Sequence, residues 1–276
     1  MLTKGLNAPS ANCAVLIAVR TVNCRNQERG KQMSRQLKGA NVLLVGGSGG
    51  IGTELAKELI KNGVASIVVA SKSPIDITQT NSMVVKEQVD VTNFESVQKF
   101  AEKMQGRDIS IVINCSGVNS NSRLIEERSM LNARQEMEVN YFGLLNLASA
   151  MGPMLTARGG GVFMQVLSFL SHVNLPVMAT YSASKAAAHS LTQALRAEWR
   201  GQGITVCGVY PTAVDTVMSR DQQGPKLSPA ILAFEMVEAL KHDVEDLYPG
   251  DAAIAYGEYQ RNPKALESAM AESINH

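Results

Sequence analysis

The sequence predicts an α/β fold, a single domain built on a doubly wound parallel sheet with helices on both faces. Three observations carry this. Short apolar runs alternate with helical patterns along most of the 276 residues. A glycine-rich turn joins the first run to the first helix. The polar candidates fall at or just past strand ends, where ligands sit in such sheets.

Residues 42–45 are an apolar run that reads as a buried parallel strand. Gly46, Gly47, Gly49, Gly50 and Gly52 then crowd around Ser48. Ile51, Leu55, Leu59 and Ile60 follow at helical spacing, and Gly63 is placed to end the helix. Unpaired N–H groups at the helix start, with no side chains in the way, make an anion site. Its flanking strand and amphipathic helix favour a nucleotide phosphate over a flexible surface loop.

Residues 66–70 read as a second strand, followed by the turn Ser71, Lys72, Ser73, Pro74. Residues 75–82 are polar and too short for a good helix, so this crossover looks trimmed. A third strand, 84–89, runs into Asp90. A helix over 93–104 has Asn93 as its N-cap. The fourth strand, 109–114, ends in Asn114, Cys115, Ser116 and Gly117. A long helical pattern over 129–151 includes Asn140. The glycines of 159–161 precede a fifth strand at 162–167 and Ser168. A second long helix covers 180–200, and a sixth strand at 205–210 is closed by Pro211. An amphipathic helix over 228–241 and a polar helical tail over 256–276 complete the chain, with no internal repeat.

A formal net charge of +1 gives no bias toward nucleic acid or membrane. The average hides an asymmetry: residues 1–40 hold seven basic groups and one acid, Glu28. Residues 1–37 are read as a basic extension outside the fold, with an organellar transit peptide as the alternative for the leader. The catalytic domain is assigned to 38–255. Cys13, Cys24, Cys115 and Cys207 lack any metal-ligand or disulfide spacing, which suits a reducing, cytoplasmic setting. No run of about 18 apolar residues suggests a membrane span.

Over 38–255 the chain resembles the short-chain dehydrogenase/reductase family, whose fold is Rossmann-like. The glycine turn matches the family's TGxxxGIG through Gly46, Gly50, Ile51 and Gly52, with Val45 where Thr is usual. Asn114 to Gly117 stand where NNAG is usual. Asn140 stands in the helix asparagine position, Ser168 and Tyr181-Ser182-Ala183-Ser184-Lys185 match the catalytic Ser and YxxxK, and Tyr210 to Thr216 resemble the PG segment. The resemblance implies Tyr181 as acid/base and Lys185 as its tuning cation and a ligand of the nicotinamide ribose. It further implies that Ser168 positions the substrate oxygen and Asn140 holds a relay water. Cofactor contacts are expected from Gly46, Ser48, Gly50, Ile51, Gly52, Ser71, Lys72, Asp90, Val91, Asn114, Gly117, Tyr181, Lys185, Pro211 and Thr216. Asp90 would meet the adenine amino group, and Thr216 the carboxamide. The loss of the Thr hydroxyl at Val45 is expected to alter packing near Cys115 without loss of binding.

Tyrosine is a poor base at neutral pH, with an ordinary pKa of about 10. Lys185, one helical turn from Tyr181, is expected to lower it. Ser71 and Lys72 replace the acid that would repel a 2′-phosphate, so NADP(H) is favoured over NAD(H). Residues 212–227 are expected to form a mobile lid. Phe169, Leu170 and Met178 would either wall the substrate or simply pack the core, and His172 and His189 are read as local structure. Residues 247–250 resemble the lead into a final strand. The combined reading is an NADP(H)-dependent oxidoreductase interconverting a carbonyl compound and its alcohol, with a 3-oxoacyl-carrier-protein reductase or a non-catalytic NADP(H)-binding sensor or scaffold as alternatives. The resemblance also implies a homodimer or homotetramer paired through the two long helices.

Overall fold

The apolar runs become a seven-stranded parallel sheet in the computed structural model, which describes residues 35–73 and 83–275. Its strands are β1 (Asn41–Val45), β2 (Ser66–Ser71), β3 (Val84–Gln88), β4 (Ile111–Asn114), β5 (Gly161–Val166), β6 (Ile204–Val209) and β7 (Asp246–Leu247), in the order β3-β2-β1-β4-β5-β6-β7. The helices are α1 (Gly50–Lys61), α2 (Phe94–Met104), α3 (Ser129–Met137), α4 (Gly143–Ala157), α5 (Ala179–Trp199), α6 (Pro229–Lys241), α7 (Ala252–Arg261) and α8 (Pro263–Ala271).

Successive strand residues face opposite sides, and both sides are covered. Val42, Leu44, Ile67 and Ile113 pack with Leu55 and Leu59 of α1 and Leu232 and Met236 of α6. Leu43, Val68, Val112 and Phe163 pack with Phe100 of α2, Leu147 of α4 and Trp199 of α5. This double burial is why the strands read as unbroken apolar runs. Each fully buried large apolar side chain contributes about 1.5–3 kcal/mol. The chain winds from β1 out to β3, then crosses back to place β4 on the other side of β1, so Val45 lies beside Asn114. That reversal opens a crevice beyond the strand ends.

The structure departs from the sequence reading in four places. The continuous helix expected over 129–151 is α3, a π-helical turn (Glu138–Phe142) and α4, which runs on to Ala157. The turn carries Asn140, whose amide is held by the backbone of Val118. The last strand is Asp246–Leu247 itself; Tyr248 to Gly250 follow it, since Pro249 has no N–H for a ladder. The helical tail starts at Ala252, ahead of the expected 256. The fold also begins before residue 38: Leu37 is core, and Arg35 pairs with Asp243 at 2.9 Å.

Asn93 caps α2 as expected, accepting from Ser96 N–H at 2.9 Å. The leader up to residue 34, Cys13, Cys24 and the trimmed crossover at 75–82 lie outside the described residues. Among the described residues no helix is long and apolar enough to cross a membrane, and no His/Cys/Asp/Glu group could hold a metal ion.

Candidate active site

The glycine turn sits at the β1/β4 reversal. Gly46 has φ +77°, and a Cβ there would come within 2.5 Å of Ser116 N, so the end of β1 can lie against the Cys115–Ser116 backbone only with glycine. A Cβ on Gly52 would lie 2.6 Å from Gly47 Cα, which fixes the closeness of α1 to the turn. Gly49 takes the N-cap position with no side-chain cap, and no acid stands in the first turn. The free N–H groups and bare backbone fit a phosphate. Beyond the turn, Ser48 Oγ and Ser71 Oγ are 2.7 Å apart, and Lys72 Nζ lies 2.8 Å from Asp90 Oδ2.

Ser168 follows β5 and caps a short 3₁₀ turn, accepting from Leu170 N–H at 3.2 Å. Its hydroxyl is hydrogen-bonded to the phenol of Tyr181. Lys185 Nζ lies 5.8 Å from the centre of the Tyr181 ring and donates to Val166 O at 3.0 Å. The expected lowering of the phenol's pKa does not occur. Burial pushes Tyr181 up to about 12, against the Ser168 hydrogen bond, with the nearby Glu136 adding to the rise. Burial likewise brings Lys185 down to about 8. Dehydration dominates the phenol's shift, and the ammonium's hydrogen bond goes to a carbonyl.

A cavity of about 270 Å³ gathers Ile51, Gly117, Ser168, Tyr181, Lys185, Pro211 and Thr216 from the expected set. The apolar wall of Phe169, Leu170 and Met178 lines it too, as do lid residues including Met218 and Gln222. Several expected residues also make contacts within the protein. Asn114 is buried and braces the sheet, donating to Gln165 Oε1 at 2.8 Å and accepting from Ser116 N–H at 3.0 Å. Val91 packs on Gly143, and its carbonyl accepts from Asn146. Asn140 donates to Val118 O and Ser184 Oγ and accepts from Val118 N–H, each at 2.9 Å. Its side chain clamps the loop after β4. Thr216 joins Ser219 in a reciprocal cap, with its methyl over Gly50.

Asp90 accepts from the Thr92 amide and hydroxyl and from Lys72. Burial alone would raise its carboxyl; the hydrogen bonds from Lys72 and Thr92 prevail and hold it below the usual carboxylate value. His172 and His189 each meet a tyrosine: Tyr248 Oη is 3.1 Å from His172 Nε2, and Tyr210 Oη is 2.8 Å from His189 Nδ1. Val45 is packed in the core, and its carbonyl accepts from Cys115 N–H at 2.8 Å.

Sequence reasoning missed Asn119, Met270 and Glu136. Asn119 and Met270 line the cavity. Glu136 is fully buried and accepts from Ser120 N–H at 2.8 Å. One signal was available, since Glu136 precedes Asn140 by four residues and so shares its helix face.

A family model described as short chain dehydrogenase matches residues 40–226. The chain is 30% identical over 258 residues to a 3-ketodihydrosphingosine reductase of Dictyostelium discoideum, spanning 82% of this chain and 77% of that one. It is 32% identical over 193 residues to a galactitol 2-dehydrogenase (L-tagatose-forming) of Cereibacter sphaeroides, spanning 67% and 75%. Among solved structures, a short chain dehydrogenase from Burkholderia cenocepacia J2315 in complex with NADP superposes with a TM-score of 0.80 at 32% identity, covering 86% of this chain and 99% of that one. Sheet order, glycine turn and sequence agree with these matches, and the chain belongs to the short chain dehydrogenase family of oxidoreductases.

Proposed function

We propose that the chain is an NADP(H)-dependent reductase of an uncharged ketone flanked by apolar groups, with Tyr181 as proton donor. The observation that carries this is the gathering of Ser168, Tyr181 and Lys185 on one cavity whose far side is the start of α1. The α1 N–H groups would hold the dinucleotide's phosphates, and Ser48, Ser71 and Lys72 would hold a 2′-phosphate. The Burkholderia relative solved with NADP supports that choice. When bound, the reduced nicotinamide supplies a hydride to the carbonyl carbon.

The chain's own groups serve the carbonyl oxygen. Ser168 Oγ orients it and stabilises its developing charge. Tyr181 Oη hands it a proton, and a phenol pushed up to about 12 stays protonated at neutral pH, which favours reduction over alcohol oxidation. Lys185 would meet the ribose hydroxyls. Asn140 fixes the Val118 backbone beside it.

Lys185 is the sole charged side chain among the described lining residues, and its bond goes to backbone. Met178, Met218 and Met270 reach the cavity from three separate segments and make a deformable apolar wall. That suits a ketone on an alkyl chain, in line with the name of the Dictyostelium relative. Nothing in this lining favours a phosphopantetheine-bearing acidic carrier, and Lys226 of the lid is turned to the Arg220 carbonyl. A binding-only role has no need of the assembled Ser168, Tyr181 and Lys185. The exposed groove between α4 and α5 is the surface through which a homo-oligomer would form.

The test is NADPH and NADH oxidation across methyl ketones from acetone to dodecanone. Faster turnover with NADPH, rising with chain length, is expected. No oxidation of either nucleotide with any ketone would overturn the reading in favour of a sensor.

A further inference from the structure

Two carboxamides meet one sulfur atom on the wall of the cavity. Asn119, in the segment after β4, directs its side-chain N–H to Met178 Sδ at 3.4 Å. Gln222, in the lid segment 212–227, places its own amide nitrogen 3.8 Å from the same sulfur. All three residues line the cavity, and each comes from a different part of the chain. The orientation of both amides follows from their other contacts. Asn119 Oδ1 accepts from Asn121 N–H at 2.9 Å, which leaves its nitrogen for the sulfur. Gln222 Nε2 is also 3.5 Å from Asn121 Oδ1, an acceptor, so here too the nitrogen is the atom turned inward.

A thioether is a weak acceptor. Two N–H donors sharing one such atom are poorly satisfied, and inside a largely apolar cavity that is unfavourable. Apolar side chains would pack on Met178 without this cost, so packing alone does not explain two amides. Neighbouring hydroxyls have better partners: Ser116 bonds to Asn114, Ser219 to Val214 O, and Thr216 to the Ser219 backbone. Met178 itself stands three residues before Tyr181, and its carbonyl accepts from Ser182 Oγ at 2.9 Å. Its backbone is thus tied to the helix of Tyr181, while the unbranched thioether is able to swing aside. A carbonyl oxygen in its place has two lone pairs and accepts both N–H groups at once.

Resting on the reading of the chain as a ketone reductase, we infer that Asn119 and Gln222 form a second carbonyl-binding subsite in the cavity. The substrate is then an uncharged dicarbonyl compound. Its ketone oxygen meets Ser168 and Tyr181, and an ester or amide oxygen displaces Met178 Sδ from the two carboxamides. A free carboxylate fits less well, because both donors are neutral and Lys185, the sole charged lining group among the described residues, is bonded to Val166 O. Since Gln222 belongs to the lid and Asn119 to the loop after β4, the bound oxygen also ties these two walls together.

The experiment measures kcat/KM at saturating NADPH for methyl acetoacetate, methyl levulinate and the next higher oxo-esters of that series. Each ester is paired with the methyl ketone of equal chain length, in wild type, Asn119→Leu and Gln222→Met. The readout is the ester-to-ketone ratio for the ester that wild type turns over best. Any electronic activation of the ketone by its ester is the same in all three proteins, so a change in the ratio reports a lost contact. The ratio is expected to fall about fivefold in each variant, the worth of one neutral hydrogen bond. Gln222→Met carries the test if Asn119→Leu fails to fold, since Asn119 also holds Asn121 N–H. A ratio equal to wild type in the folded variants overturns the subsite, even where both rates drop together. If methyl ketones are turned over and the ratio does not move, the subsite alone is lost. If no ketone or oxo-ester is turned over, the reductase reading fails and the subsite with it.

Discussion

Lys185 Nζ stands 5.8 Å from the centre of the Tyr181 ring, yet its hydrogen bond is spent on the Val166 carbonyl at the end of β5. One helical turn brings the two side chains together, and the strand end then fixes the ammonium. The pair is thereby held in register with the sheet edge, while burial keeps the phenol protonated.

Replacing Tyr181 with Phe keeps the ring packing and removes the proton. The expected loss is at least about 10²-fold in kcat, with NADPH affinity by fluorescence titration unchanged. Turnover close to wild type would remove Tyr181 from its role.

Lys72 is exposed, and its ion pair with Asp90 contributes little to stability. Its proposed role is to present a positive charge to a 2′-phosphate. Lys72→Ala should weaken NADPH by about tenfold, the worth of one charge-assisted hydrogen bond, and leave NADH nearly untouched. Because the substitution also leaves the Asp90 carboxylate facing the 2′-phosphate, adding Asp90→Asn should restore part of the loss. Equal weakening of both nucleotides would argue that Lys72 is only a solvated charge.

His172 packs against His189, Tyr210, Tyr248, Tyr256 and Tyr259, with ring centres 4.9 to 5.7 Å away. Burial, helped by His189, brings its pKa from 6.5 to about 4. Between those values the unfolded chain binds the proton and the folded one does not. Stability therefore rises with pH across this window and is lost as pH falls from about 6.5 toward 4, by up to about 3 kcal/mol. His172→Phe keeps the ring and removes the titration, so its melting temperature should fall less over that range. Parallel curves for the two proteins would rule the histidine out as a source of acid lability.

How much of this was legible follows from what sets each feature. The strands, the long helices, the glycine turn and the Ser168–Tyr181–Lys185 set could be read directly, because backbone conformation and side-chain periodicity leave local marks. The π-helical turn at Asn140 could not, since it accompanies hydrogen bonds to Val118, which lies 22 residues back. Asn114 and Val91 were read as cofactor contacts from the resemblance, and only the packed structure shows the hydrogen bonds that the Asn114 side chain makes with Gln165 and Ser116 and the Val91 carbonyl accepts from Asn146.

The sequence alone determined the fold class, the family and the order of chemical groups along the sheet's carboxyl edge. Tertiary structure decided which groups lose water together. It paired Lys72 with Asp90, brought Met270 of the tail onto the cavity, and buried Glu136 beneath the loop that leads to Tyr181. Hydration and charge–charge energies depend on distances between residues remote in the chain, so the direction of the Tyr181 shift could be known only once the chain had closed around it.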